Sequence, residues 1–163
     1  MATGNTLVTF GPQQASFPAT NYATLDTRNN HPCLDFDATT GETCYFEDIL
    51  PRHYAGGGIT VYVHYAMSTA VADTCGWLIA FERIGDGSQD LDADGFASDQ
   101  TITAGTVPGT AGHVDILNVA VTDGANMDSI AVGERFRLRV TRNVAVDTAT
   151  GDAELVGVEL KET

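Results

Sequence analysis

The sequence predicts an all-β domain, an antiparallel two-sheet sandwich of jelly-roll-like type with an extended N-terminal arm. Three observations predict it: apolar and polar side chains alternate along several segments, turn-forming residues separate these segments, and no segment has the period of an amphipathic helix. The chain has 163 residues, of which 43% are hydrophobic, and this is enough to bury the core of one domain. An immunoglobulin-like sandwich is the alternative that the same pattern allows.

Nine segments have the composition of strands, and a further extended piece is predicted at 17–25. The nine are Thr6–Phe10, Pro32–Asp37, Thr43–Leu50, Ile59–Ser68, Cys75–Ile84, Gln100–Ala104, His113–Thr122, Arg135–Arg142 and Glu154–Leu160. Alternation is strictest where Phe136, Leu138 and Val140 are interleaved with arginines. Successive side chains of a strand point to opposite faces, so this segment is expected to be half-buried. Residues 76–81 are nearly all apolar and predict a central core strand filled by Trp77.

Turn-forming residues separate the predicted strands, and the first 22 residues differ from the rest of the chain. Asp86-Gly87 and Asp123-Gly124 are turn formers between apolar segments, and Gly56–Gly58 precedes the longest alternating strand. Residues 1–22 differ, because Gly11-Pro12 and Phe17-Pro18 interrupt isolated apolar residues. We therefore expect an extended arm at 1–22 and a β-sandwich domain at 23–163. The arm is expected to lie on its own domain or on a neighbouring subunit.

Composition excludes several classes of function. The formal net charge is −14, from 22 acidic and 8 basic residues, and such a surface repels nucleic acid. No apolar segment is long enough to span a membrane, and the N-terminus lacks a secretory signal, so we expect a protein made in the cytoplasm. Cys33, Cys44 and Cys75 lack zinc-ligand spacing and are expected to be buried thiols. A bridge between Cys33 and Cys44 is left open.

An acidic segment is the best candidate for a metal site. Asp90, Asp92 and Asp94, followed by Gly95, match the first half of a calcium-binding loop, in which alternate carboxylates wrap a hard cation. The second half does not match, because Thr101 stands where a bidentate glutamate belongs. The segment is therefore either a weak structural calcium site or a solvated acidic loop.

The sequence carries no catalytic motif. It lacks a nucleophile elbow, an H-x-H metal motif and a glycine-rich phosphate loop. Glu47 with Asp48 forms a carboxylate pair, but pairs are expected by chance among 22 acidic residues. We predict that the protein is not an enzyme and needs no cofactor, apart from possible calcium.

The arginines are concentrated on one predicted strand. Arg135, Arg137 and Arg139 share a face, and they either pair with acidic residues such as Glu82 or Glu159, or form a patch that contacts a partner. Phe10 and Phe17 in the arm are further candidates for partner binding.

The arm at 1–22, the strands from Ile59 to Phe81 and the closing strands Arg135–Arg142 and Glu154–Leu160 together resemble the jelly-roll decoration, or cement, proteins of phage capsids. The resemblance implies a virion protein, with itself as a homotrimer and the major capsid protein as partners, that stiffens the shell. From the net charge and the lack of a long apolar segment, we expect no nucleic-acid partner and no membrane partner.

Two alternatives place the function in glycan binding. One is a phage tail-fibre or baseplate domain that binds a host glycan receptor. The other is a carbohydrate-binding module, or a small β-sandwich enzyme. Exposed aromatic side chains in loops would favour the first alternative, and the candidates are Tyr22, Tyr45, Tyr54 and Phe96. Binding or hydrolysis of polysaccharides by the purified monomer would favour the second.

Overall fold

The computed structural model describes residues 4–69 and 72–163 and has ten strands in two antiparallel sheets. The strands are β1 (Thr6–Phe10), β2 (Thr24–Arg28), β3 (His31–Phe36), β4 (Thr43–Ile49), β5 (Ile59–Met67), β6 (Thr74–Ile84), β7 (Gln100–Thr106), β8 (Val114–Val121), β9 (Arg135–Arg142) and β10 (Ala153–Glu162). The predicted all-β two-sheet sandwich is confirmed, and the ends of the nine predicted strands agree within two residues. Within the part of the chain that is described, no helix is long and apolar enough to cross a membrane.

The two sheets differ in size and in how they are connected. The larger has the order β2-β3-β10-β5-β8, with β1 also paired to β10, and the smaller has the order β4-β9-β6-β7. β10 is the centre of the larger sheet, because it pairs with β1 and β3 on one side and with β5 on the other. The smaller sheet carries the arginine strand β9 between β4 and β6.

β2 was not among the nine predicted strands, and the predicted extended piece at 17–25 overlaps it by only two residues. Four of its five residues are exposed, so it lacks the alternation that marks a half-buried strand. Its position is set instead by the turn to β3, where Asn29 and Asn30 have φ values of 45° and 64°. Positive φ at both central residues is the requirement of a two-residue hairpin, and asparagine tolerates it.

Aromatic side chains from both sheets fill the core. The ring of Trp77 in β6 is fully buried, with its centroid 5.0 Å from that of Phe36 and 5.5 Å from that of Tyr65. Both contacts are edge-on, which is a favoured geometry for aromatic pairs. β6 is therefore the central core strand that its apolar sequence predicts. Cys33, Cys44 and Cys75 are buried and free, and burial raises the pKa of the Cys33 thiol to about 11.

Residues 4–22 lie along their own domain and pass from one sheet to the other. β1 pairs with β10, a short 3₁₀ turn follows at Pro12–Gln14, and Ser16 and Tyr22 then form single bridges to β4. The alternation of Val8 and Phe10 explains the first contact, since both side chains point into the core. The segment is thus tied to both sheets by backbone hydrogen bonds.

The last arginine of β9 lies on the inner face, unlike the three before it. Arg142 is 1% exposed, and its Nε donates to Asp147 Oδ2 at 2.7 Å. Its Nη1 donates to the carbonyls of Phe36 and Gly151, and its Nη2 to that of Ala149, at 2.9–3.0 Å. The loop between β9 and β10 is therefore anchored to the core by one guanidinium group.

Candidate functional site

The outer face of the smaller sheet carries the three predicted arginines. Along β9, Phe136, Leu138 and Val140 are buried, and Arg135, Arg137 and Arg139 point to the other side. The strict alternation of the sequence produces this arrangement directly. We call the surface formed by Arg135, Arg137, Arg139, Tyr45 and Phe96 the arginine face.

Each arginine of this face pairs with a carboxylate on an adjacent element. Arg135 pairs with Glu47 of β4 and Arg137 with Glu82 of β6. The third pair joins Arg139 Nη2 to Asp99 Oδ1 at 2.7 Å. The predicted pairing with Glu82 is present, whereas Glu159 lies on the other sheet and accepts a hydrogen bond from Thr6. The pairs hold the guanidinium groups in fixed positions, although exposed pairs contribute little to stability.

An aromatic stack lies across the arginines. The rings of Tyr45 in β4 and Phe96 in the β6–β7 loop stack with centroids 5.4 Å apart and planes inclined by 17°. The guanidinium carbon of Arg137 lies 5.2 Å and 5.0 Å from the two centroids, and that of Arg139 lies 4.7 Å from the centroid of Phe96. These are cation–π distances. A backbone hydrogen bond from Ala97 to Phe81, 2.8 Å long, fixes the loop that brings Phe96 over the sheet.

Two depressions flank the stack. One, of about 370 Å³, is lined by residues that include Asn21, Asp99 and Arg139. The other, of about 390 Å³, lies between the carboxylates of Glu47 and Glu82 and the side chain of Leu91. Leu91 is 75% exposed. The face therefore combines shallow apolar surface with fixed hydrogen-bonding groups.

Two more aromatic rings lie at the ends of the segment whose residues 18, 20 and 21 line the first depression. Phe17 and Tyr22 are 39% and 48% exposed, and their ring centroids lie 6.2 Å apart. The bridge between Tyr22 and Thr43 holds this segment against β4. Three of the four aromatic residues that the sequence singles out, Tyr22, Tyr45 and Phe96, are thus brought to one side of the sandwich, together with the predicted Phe17.

The other two aromatic candidates lie elsewhere and are largely buried. Phe10 is 3% exposed and stacks on Phe46 with centroids 5.0 Å apart. Tyr54 is 8% exposed, and its hydroxyl donates to Asp123 Oδ1 at 3.3 Å and accepts from the N–H of Gly58 at 2.9 Å. Both side chains fill or brace the domain, so neither belongs to the arginine face.

The predicted calcium loop forms a tight acidic turn. The N–H of Asp92 donates to Asp90 Oδ1 at 3.0 Å, and the N–H of Asp90 donates to the carboxylate of Asp94. Two of the three carboxylates therefore bind the backbone of their own loop. Among residues 4–69 and 72–163, no group of three or more His, Cys, Asp or Glu side chains is arranged to hold a metal ion. The calcium site stays a prediction.

A pocket of about 670 Å³ lies on the outer face of the larger sheet. Arg28 in its lining donates from Nη1 to the Met67 carbonyl at 3.1 Å and pairs with Glu154. Gly112 has a φ of +79°, a conformation that glycine adopts without strain, and the guanidinium of Arg28 packs against it. No local signal in the sequence points to this pocket, because its residues come from five separate segments.

Carboxylates are crowded beside this pocket. Burial, together with the nearby charges of Glu154 and Asp26, raises the pKa of Asp35 to about 6. This part of the surface is therefore negative, apart from Arg28.

No protein-family model and no curated protein matches this sequence. Solved structures are similar in fold. The family 35 carbohydrate-binding module from Clostridium thermocellum has a TM-score of 0.62 at 12% identity, over 98% of this chain and all of that one. The chain therefore shares its sandwich fold with this module. The CBM35 from Cellvibrio japonicus Abf62 has a TM-score of 0.54 at 13% identity, over 94% of this chain and 91% of that one.

A third similar structure belongs to a multi-module chain. It contains the CBM22-1 and GH10 modules of Clostridium thermocellum xylanase 10B in complex with xylohexaose, with a TM-score of 0.51 at 15% identity. The similarity covers all of this chain and 29% of that one. Identities of this size show a common fold alone, because one fold carries many functions. The chemistry of the surface has to supply the argument for function.

Proposed function

We propose that this protein is a non-catalytic carbohydrate-binding domain that binds a polysaccharide on its arginine face. The observation that carries the proposal is the Tyr45–Phe96 stack between two depressions, crossed by arginines that paired carboxylates hold in place. The fold shared with carbohydrate-binding modules supports it. Of the functions that the sequence suggests, the glycan-binding alternatives therefore have better support than capsid decoration.

The chemistry of the face suits a sugar chain. A pyranose ring has an apolar face of C–H groups, which packs on an aromatic ring, and a rim of hydroxyl groups, which need fixed donors and acceptors. Tyr22 and Phe17, at the two ends of the segment that lines the first depression, are the exposed rings available to stack with a sugar. Arg139 and Asp99 supply donors and acceptors beside them. The second depression takes a further part of the chain between Leu91 and Arg135.

The charge of the protein selects the class of glycan. A net charge of −14 repels an anionic polysaccharide at long range. The arginines of the face are already neutralised by Glu47, Glu82 and Asp99, so they add no strong positive field. We therefore propose a neutral polysaccharide as the ligand.

The same pairing argues against catalysis at this face. Glycoside hydrolysis needs two carboxyl groups free to donate and accept protons or to attack the sugar. The three carboxylates of this face each accept a hydrogen bond from an arginine, which commits them to holding that side chain. We propose binding without hydrolysis.

The test is binding to a panel of neutral polysaccharides by affinity electrophoresis, followed by calorimetry with oligosaccharides of the best one. We expect Tyr22→Ala and Arg139→Ala each to weaken binding at least tenfold, about 1.4 kcal/mol. Tyr62→Ala is the matched control, since Tyr62 also lies beside a cation, with Lys161 Nζ 6.0 Å from its ring, but on the larger sheet. Failure to bind any polysaccharide, or an equal loss with Tyr62→Ala, would contradict the proposal.

The capsid-decoration hypothesis remains a prediction, with its homotrimer, its major capsid protein partner and its virion location. It differs from glycan binding in a measurable way. A decoration protein binds stripped capsids with a fixed stoichiometry that added oligosaccharide does not change. A glycan-binding domain is displaced from its target by oligosaccharide.

A further inference from the structure

The outer edges of the two sheets, formed by β1, β2, β4, β7 and β8, are protected to different degrees. An exposed edge strand is a template for pairing with another chain, and proteins usually block it with charges, bulges or covering segments. β1 has an irregular register with β10 between Thr6 and Val8. β4 is bridged by Ser16 and Tyr22. β2 carries Asp26 and Arg28, and the Asp26 carboxylate accepts the N–H of Thr27 at 2.7 Å. β7 has an irregular register with β6 near Gly105.

Among the residues that the structure describes, β8 has no hydrogen-bonded strand on its outer side, while β7 of the smaller sheet packs against its inner face, where Leu117 contacts Gly105. β8 pairs with β5 through all eight residues without a register shift, so its outer side is a regular edge. Asp115 is the one charged residue of β8, at its N-terminal end. Its Oδ1 accepts a hydrogen bond from the N–H of Ile116 at 2.9 Å, and its Oδ2 accepts one from the Tyr65 hydroxyl at 3.0 Å. Within the described chain, no backbone hydrogen bond outside the β5 ladder involves residues 117–121.

The surroundings of this edge are almost free of charge. Between Gln100 and Thr122, which includes β7 and β8, Asp115 is the one Asp, Glu, Lys or Arg. The whole chain has 30 such residues, 22 acidic and 8 basic, so this side of the sandwich is depleted in charge. Val114 and Ile116 are 54% and 49% exposed. Depletion of charge with exposed apolar side chains is the composition of an interface core.

We propose that two copies of this chain associate by antiparallel pairing of residues 117–121 of β8 with the same residues of the second copy. The two larger sheets then form one continuous sheet. A second copy fits this edge for an electrostatic reason. Each copy carries a net charge of −14, so the repulsion between two copies is smallest where the surfaces that meet carry almost no charge. The edge of β2 is a poorer partner, because Asp26 and Arg28 lie along it.

The symmetry of this pairing has a defined result. Two identical antiparallel strands are related by a two-fold axis perpendicular to the sheet, and such an isologous contact closes as a dimer. Both copies of the smaller sheet then lie on the same side of the extended sheet. The dimer does not depend on glycan binding, and the two proposals are tested separately.

The first experiment measures mass against protein concentration by sedimentation equilibrium. We expect a reversible change from monomer to dimer between about 10 µM and about 1 mM, the range suited to a small interface. Dimerisation should strengthen in about 0.5 M salt, because the like charges of the two copies are screened. A monomer at every concentration, or a trimer, would overturn the proposal.

The second experiment locates the contact with variants. Ile116→Lys should weaken dimerisation at least tenfold, since it puts charge on each copy's edge. Leu25→Lys is the matched control, because Leu25 lies on the opposite edge strand with 51% exposure against 49% for Ile116. Thermal unfolding of both variants checks that they fold. Equal weakening by both variants would mean that general charge, and not the β8 edge, controls association.

The third experiment reports on strand pairing itself. Amide hydrogen exchange within residues 117–121 should slow as the protein is concentrated, while exchange in β2 stays constant. A dimer in which the amides of β8 exchange as fast as in the monomer would contradict strand pairing.

Discussion

At the scale of single residues, Arg142 shows how one charged side chain is accommodated in the core. Both it and Asp147 are fully buried as side chains, and three carbonyls complete its hydrogen bonds. Burial of an ion is tolerated only when its partners satisfy it in this way. Arg142 is therefore a structural residue, although it belongs to the same strand as the arginines of the proposed binding face.

We expect Arg142→Met to lower the free energy of unfolding by roughly 3–5 kcal/mol, because it leaves the Asp147 carboxylate buried without its counter-ion. Arg135→Met is the control. Arg135 is 55% exposed in its ion pair, so its loss should cost less than about 1 kcal/mol. Urea unfolding of the two variants measures both values, and similar losses would show that burial does not govern the contribution of these arginines.

Asp35 gives a prediction for pH. Burial and the neighbouring Glu154 and Asp26 raise its pKa to about 6, from an ordinary value of 3.8. The folded protein then binds this proton more tightly than the unfolded chain does, so its contribution to stability is lost as the pH rises from about 4 to about 6. We expect Asp35→Asn to be more stable than the parent at pH 7, with the difference absent at pH 4.

Asp37 provides a control of opposite sign for the same measurement. Hydrogen bonds from Thr39 and Thr40 lower its pKa to about 2, so the ionised form stabilises the folded state above the ordinary pKa. Asp37→Asn should be less stable than the parent at pH 7 and should approach it as the pH falls through the range between 4 and 2. Unfolding curves at each pH give both differences. Variants that shift in the same direction would refute this electrostatic account.

At the scale of elements, the N-terminal segment has two parts with different roles. β1 belongs to the larger sheet, and its Phe10 ring stacks on Phe46 in the core. The piece from Ser16 to Tyr22 lies beside β4 and leaves Phe17 partly exposed. The first part contributes to stability, and the second forms one border of the proposed binding face.

We expect Phe10→Ala to lower the free energy of unfolding by about 3–5 kcal/mol, the usual cost of truncating a buried phenylalanine. Phe17→Ala should cost less than about 1 kcal/mol, because it removes a side chain that is 39% exposed. Thermal and urea unfolding measure both. If Phe10→Ala were as mild as Phe17→Ala, β1 would be a weakly attached arm and not part of the folded domain.

At the scale of the whole molecule, the sequence predicts the sandwich and the faces of its half-buried strands. In β9 the period of two places the arginines outside and Phe136 inside, and both positions follow from alternation alone. The strand β2 cannot be predicted from alternation, because a strand that is exposed along most of its length has no apolar pattern in its sequence. The stacking of Tyr45 on Phe96 cannot be predicted from the sequence pattern either, since it depends on how the β6–β7 loop folds back over the sheet. Contacts between distant segments need the three-dimensional structure.

The central position of β10 has a consequence for synthesis of the protein. This strand pairs with β1, β3 and β5, yet it follows every other strand of the domain. While the ribosome is still making it, the nascent chain holds three strands that have no common partner, and such long-range pairing is intrinsically slow to form. Premature termination before residue 153 would therefore leave a fragment with an open sheet, vulnerable to aggregation and to proteases.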